Sequence, residues 1–142
     1  MSGYDNPLKT ISYNVGGLHD FGAGALAFAL QRPLGATMAR IEEIHVAVFE
    51  TFTADTLAAY IQIGTAADAD KFAQLEMGLA AITDGWGTND DADAIKAAGL
   101  FIDLNRDGDS DASLDQLEVN YTSPTGGTPA GTGYVTIVIS WY

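Results

Sequence analysis

The sequence predicts an all-β fold, two packed antiparallel sheets or a closed barrel built from seven or eight strands. Three observations carry this. Short apolar segments alternate with polar residues at period two, the pattern of half-buried strands rather than of helices. Gly, Pro, Asn and Asp cluster between the segments, where turns belong. β-branched and aromatic residues gather inside the segments, as a pleated, partly buried surface favours.

In chain order, Lys9 to Val15 alternates, with Ile11, Tyr13 and Val15 on one face, and Gly16-Gly17 is read as its stop. Leu26, Phe28 and Leu30 share a face in the second segment. The third and longest, Ala39 to Phe52, sets Ile44, Val46, Val48 and Glu50 against Glu43, His45, Ala47 and Phe49. A fourth alternates Leu57, Ala59, Ile61 and Ile63 and ends at Gly64. Ala66 to Met77 has the one helical texture, with Asp68 as a candidate cap for a short helix near 66–77. A weak strand over 78–82, a Gly- and Asp-rich loop around Trp86, and strands over 98–104 and 116–122 follow. Tyr134 to Tyr142 closes the chain, with Val135, Ile137, Ile139 and Trp141 on one side and Tyr134, Thr136, Val138, Ser140 and Tyr142 on the other. No linker or repeat divides the sequence. It reads as a single β-sandwich domain over 1–142, with an N-terminal arm over 1–8.

Length and composition agree. A chain of 142 residues that is 47% hydrophobic can bury a real core. Its longest apolar run, Phe21 to Leu34, is interrupted by Gly22, Gly24, Arg32 and Pro33, too broken to cross a bilayer as a helix. Met1 to Asp5 lacks the basic and apolar regions of a secretory leader. Without cysteine there is neither a disulfide framework nor a thiol nucleophile.

Nineteen acids against six bases give a net charge of −13. That excludes nucleic acid, which is bound through cationic side chains, and an anionic membrane surface for the same reason. Ten of the acids lie between Asp84 and Glu118, offset there by Lys96 and Arg106 alone. Such a charge serves solubility or selects a basic partner.

Within that stretch, Asp103, Asn105, Asp107, Asp109 and Asp111 place hard oxygen ligands at every second position, with Gly108 sixth. This resembles the first half of an EF-hand loop and offers a calcium site. The bidentate Glu of the twelfth position is absent: Leu114 stands there, followed by Asp115. The same run also reads as a solvated turn between strands. Catalytic chemistry has little material. His19 and His45 are the only histidines, and neither sits in a pattern expected of a triad or a zinc site. Glu42 and Glu43 point to opposite strand faces, and the Gly-rich stretches lack the lysine of a phosphate loop. The expectation is a protein that is not an enzyme. Trp86, Tyr4, Tyr13, Tyr60, Tyr121 and Tyr134 leave a second class open, a carbohydrate-binding module that stacks aromatics on sugar rings.

Two stretches carry a resemblance. One runs from Ala39-Arg40-Ile41-Glu42-Glu43-Ile44-His45-Val46 through Thr53-Ala54-Asp55-Thr56 to Ile61-Gln62-Ile63-Gly64-Thr65-Ala66-Ala67-Asp68. The other is Gly127-Thr128-Pro129-Ala130-Gly131-Thr132-Gly133-Tyr134 leading into Val135-Thr136-Ile137-Val138-Ile139-Ser140-Trp141-Tyr142, which looks like a closing hairpin. Together they resemble the capsid decoration (cement) proteins of tailed bacteriophages over about half the chain. The resemblance implies a jelly-roll-like sandwich, commonly a homotrimer, made in the host bacterial cytoplasm. Such a protein sits on the outer capsid surface of the virion and clamps major capsid protein subunits. It implies no catalytic residue and no required cofactor. A tail or baseplate component is the neighbouring alternative.

The last strand adds an expectation of self-assembly. Both of its faces are largely apolar or aromatic, which a strand covered on one side alone would not need. Either the strand is central in a sandwich, or Tyr4, Tyr134, Val138, Trp141 and Tyr142 contribute to a subunit interface.

Overall fold

The computed structural model describes residues 6–77, 85–86, 101–104 and 116–142. Among these residues the chain forms strands and no helix. The strands are β1 (Lys9–Asp20), β2 (Leu26–Ala29), β3 (Met38–Thr53), β4 (Tyr60–Gly64), β5 (Ala73–Glu76), β6 (Gly85–Trp86), β7 (Phe101–Asp103), β8 (Glu118–Tyr121) and β9 (Ala130–Trp141).

Alternation makes each strand two-faced, and the apolar faces close on one another as two antiparallel sheets. The first has the order β1-β9-β3-β6, with β7 pairing a separate part of the same β3 edge. The second has the order β2-β8-β4-β5. Apart from the β4–β5 hairpin and the two short pieces on β3, every connection crosses from one sheet to the other. With β6 and β7 taken as one interrupted strand, this is the strand order of a jelly roll.

Both sheets supply the core. From the first come Val15, Ala39, Ile41, Val46 and the whole inner row of β9, Val135, Ile137, Ile139 and Trp141, each with no exposed surface. From the second come Ile61, Ile63, Leu75, Val119 and Tyr121. Full burial of one large apolar side chain is worth about 1.5–3 kcal/mol, so this shared layer is the main favourable term. Its polar atoms are paired. Trp141 donates its Nε1–H to the Tyr13 hydroxyl at 2.9 Å, and Tyr13 donates onward to the Gln31 carbonyl at 2.9 Å. Tyr121 donates to the Val15 carbonyl at 2.9 Å.

Several expectations change. Gly16-Gly17 is not a stop: the two residues form a bulge with φ of 74° and 58°, left-handed values that glycine adopts without strain, and β1 continues to Asp20. The helical texture near 66–77 is overridden. Thr65 and Asp68 close a turn on each other, at 2.8 and 3.2 Å, and Ala73 and Leu75 pair with Ile63 and Ile61 in a hairpin that buries both. Leu57 does not share the buried face of Ile61. It bridges Thr125 and is exposed. Glu50 leaves the face of Val48 because Phe49 is an inserted residue. The ending is no hairpin, since β9 is one strand between β1 and β3. From the N-terminal arm, Leu8 extends the β1 ladder by donating its N–H to the Trp141 carbonyl at 2.7 Å. Residues 1–5 and the strand expected over 78–82 lie outside the described residues.

Candidate functional site

Whatever a two-layer sandwich does by contact, it does with the residues opposite its core-facing ones, or with its loops. On the first sheet the register sets these outward residues in rows across β1, β9 and β3. Thr10, Ser140 and Arg40 form one row, followed by Ser12, Val138 and Glu43, then Asn14, Thr136 and His45. Polar side chains dominate this half, with Ser140 itself buried, and Thr10 Oγ1 lies 3.0 Å from Ser140 Oγ.

Beyond the Gly16-Gly17 bulge the character changes. Leu18, Tyr134 and Ala47 make an apolar row, with Leu18 55% and Tyr134 37% exposed. Phe49, the residue inserted into β3 next to Val48, is 69% exposed. Asp20, Thr132 and Glu50 form the adjoining row, in which Thr132 Oγ1 donates to Glu50 Oε2 at 3.3 Å. An apolar patch bordered by two carboxylates is therefore built at this end of the long sheet. Exposed apolar surface of this kind is characteristic of contact sites, and the carboxylates favour a partner with basic groups beside its own apolar ones.

The sequence singled out five interface residues, and the structure separates them. Trp141 lies in the core and offers nothing to another chain. Tyr134 belongs to the apolar row. Val138 stands half-buried in the polar rows, and Tyr142 is half-buried where its backbone pairs with Met38. Tyr4 lies outside the described residues. Leu18 and Phe49 complete the patch. Reading Gly16-Gly17 as a stop removes Leu18 from any strand, whereas alternation already sets Phe49 on the face of His45 and Ala47, without marking it as a contact residue.

The candidate calcium run is divided. Asp103 is the last residue of β7, its backbone paired with Met38, while Asn105, Asp107, Asp109 and Asp111 lie outside the described residues. Among the described residues no three His, Asp or Glu side chains converge on a metal site. His19 packs edge-on against Phe21, with centroids 4.8 Å apart, and shares a hydrogen bond with the Gly24 carbonyl at 3.0 Å. His45 stands on the outer face between Thr136 and the backbone of Trp86. Glu42 occupies a bulge, with one oxygen 3.7 Å from Arg40 Nε. Burial pushes the Tyr121 hydroxyl well above its ordinary range. Burial raises Tyr13 too, and the hydrogen bond from Trp141 partly opposes the rise. Both tyrosines are structural donors at neutral pH.

Comparison with protein-family models, with curated proteins and with solved structures finds no match for this chain.

Proposed function

We propose that this chain is a non-catalytic virion protein of a tailed bacteriophage, one that decorates the outer capsid surface and binds major capsid protein subunits as a homotrimer. The observation that carries this reading is the patch of Leu18, Tyr134 and Phe49 beside Asp20 and Glu50. It leaves apolar side chains in solvent on a sandwich whose core is already filled. A jelly-roll strand order, found among capsid and lectin domains, agrees with it. The stretches that resemble decoration proteins fall largely on β3, β4 and β9, and β3 and β9 carry the patch.

The energetics suit a clamp. Covering even 300 Å² of such surface per contact contributes several kcal/mol at about 25 cal/mol per Å², before association costs are met. Repetition over a lattice and among three linked copies multiplies a modest contact. The test is co-sedimentation with undecorated capsids assembled from the major capsid protein of the phage that carries this gene. Saturable binding at a fixed copy number is expected, and absence of binding at micromolar concentration contradicts the proposal. Sedimentation velocity of the free protein is expected to give three times the 14.9 kDa chain mass.

A further inference from the structure

The second sheet carries a different kind of outer face. Its inward residues are Ile61, Ile63, Ala73, Leu75, Val119 and Tyr121, so their neighbours point away from the core. The register places Gln74, Gln62 and Asn120 side by side in one row across β5, β4 and β8, with Ala27 of β2 ending the row. Gln62 donates its Nε2–H to Gln74 Oε1 at 2.7 Å, which fixes the orientation of both amides. One step along the strands, Tyr60 stands beside Glu76. One step the other way, Glu118 stands between Gly64 and Ala29, and the backbone of Asp68 and Ala69 folds over Gly64 and closes the face at that end.

From this arrangement we infer that the outer face of the second sheet binds a neutral, extended oligosaccharide, with the amide row hydrogen-bonding its hydroxyls and Tyr60 stacking on a ring. Beyond the Gln62–Gln74 bond, Gln62 and Asn120 each carry a donor and an acceptor, the combination a pair of vicinal hydroxyls requires, and Glu118 adds acceptors for further hydroxyls. Strands lie about 4.8 Å apart, so the amides recur across the sheet at an interval close to the advance per unit of an extended β-linked glycan. Tyr60 supplies an apolar ring with a polar tip, suited to the C–H face of a sugar. No Lys or Arg belongs to these rows, and the chain carries −13, so anionic glycans are disfavoured. The face is on the opposite side of the sandwich from the Leu18–Tyr134 patch, so one molecule can be docked by one face and bind sugar with the other.

Isothermal titration with cellohexaose, mannohexaose and chitohexaose, and with polygalacturonate as the anionic control, tests this. At least one neutral hexasaccharide is expected to bind, with polygalacturonate inert. Tyr60→Ala, and separately Gln62→Ala with Asn120→Ala, are expected to weaken binding by about tenfold or more. Should Tyr60→Ala disturb folding, as judged by its melting curve, the amide pair of substitutions on the wild-type Tyr60 background decides alone. No heat with any neutral sugar at millimolar concentration overturns the inference. So does a preference for polygalacturonate, or unchanged affinity in the amide variant.

Discussion

The two sheets are alike on the inside and unlike on the outside. Inward, each presents rows of aliphatic and aromatic residues, interrupted in the long sheet by bulges at Gly16-Gly17, Glu42 and Phe49, and Ile137 in one is as fully buried as Ile61 in the other. Outward, the long sheet shows polar side chains that give way to Leu18, Tyr134 and Phe49, while the short sheet shows an amide row with a single tyrosine. The difference teaches where to look for function. The inner faces satisfy a demand any sandwich makes, whereas the outer faces are free of it and differ in chemistry. Substitutions that reach inward are therefore expected to move stability, and those confined to the outer rows to move binding.

The largest effect belongs to Trp141→Ala. It empties a fully buried site and removes the N–H donor to the Tyr13 hydroxyl, and should cost about 3–5 kcal/mol. Chemical denaturation measures it, and a loss below about 1 kcal/mol would erase the distinction between the two sides of β9. Tyr121→Phe comes next, at about 1–2 kcal/mol, because the Val15 carbonyl loses its buried donor. The same residue gives a pH signature. Its folded pKa lies above the unfolded value of about 10, so its neutral form stabilises the fold fully below that pH. Above pH 10 the unfolded chain releases a proton the folded one retains, and stability falls by up to about 1.4 kcal/mol per pH unit. Denaturation midpoints between pH 9 and 11 should decline less steeply in Tyr121→Phe.

The sequence already contained part of the inward half of this comparison. Alternation from Val135 to Trp141 separates the two faces of β9 residue by residue without saying which is the core, since Trp141 also reads as an interface residue, and turn residues separate most strands from one another. What it lacked was register. Gly16-Gly17 reads as an ending unless the strand opposite is known to continue to Thr132. Ala67 to Ala73 has local helical propensity, and pairing with β4 outweighs it because it buries Ala73 and Leu75. The Leu18–Tyr134 patch joins residues more than a hundred positions apart, and the amide row joins three strands. Such juxtapositions are created by pairing and have no signature in any one segment. The Asp-rich run was the most conspicuous motif in the sequence, yet it shares no described residue with either outer row.

A smaller effect sharpens the bulge that places Leu18. A Cβ added at Gly17 meets no atom within 4 Å, so Gly17→Ala should cost only the left-handed backbone conformation, about 1 kcal/mol. At Gly16 the added Cβ lies 2.6 Å from Leu26 Cδ2, and a larger loss is expected. Equal losses in thermal denaturation would mean that the bulge does not pack as described.

The smallest effect on stability is expected where the effect on function is greatest. Leu18→Thr combined with Tyr134→Thr alters only the outer row of the long sheet without adding charge beside Asp20 and Glu50, and each change should stay within about 0.5 kcal/mol. Co-sedimentation of this double variant with undecorated capsids, beside wild type and the Gln62→Ala variant, tests the central claim most directly. The account predicts an unchanged melting curve with capsid binding lost in the double variant and retained in Gln62→Ala. Full binding by the folded double variant would contradict it.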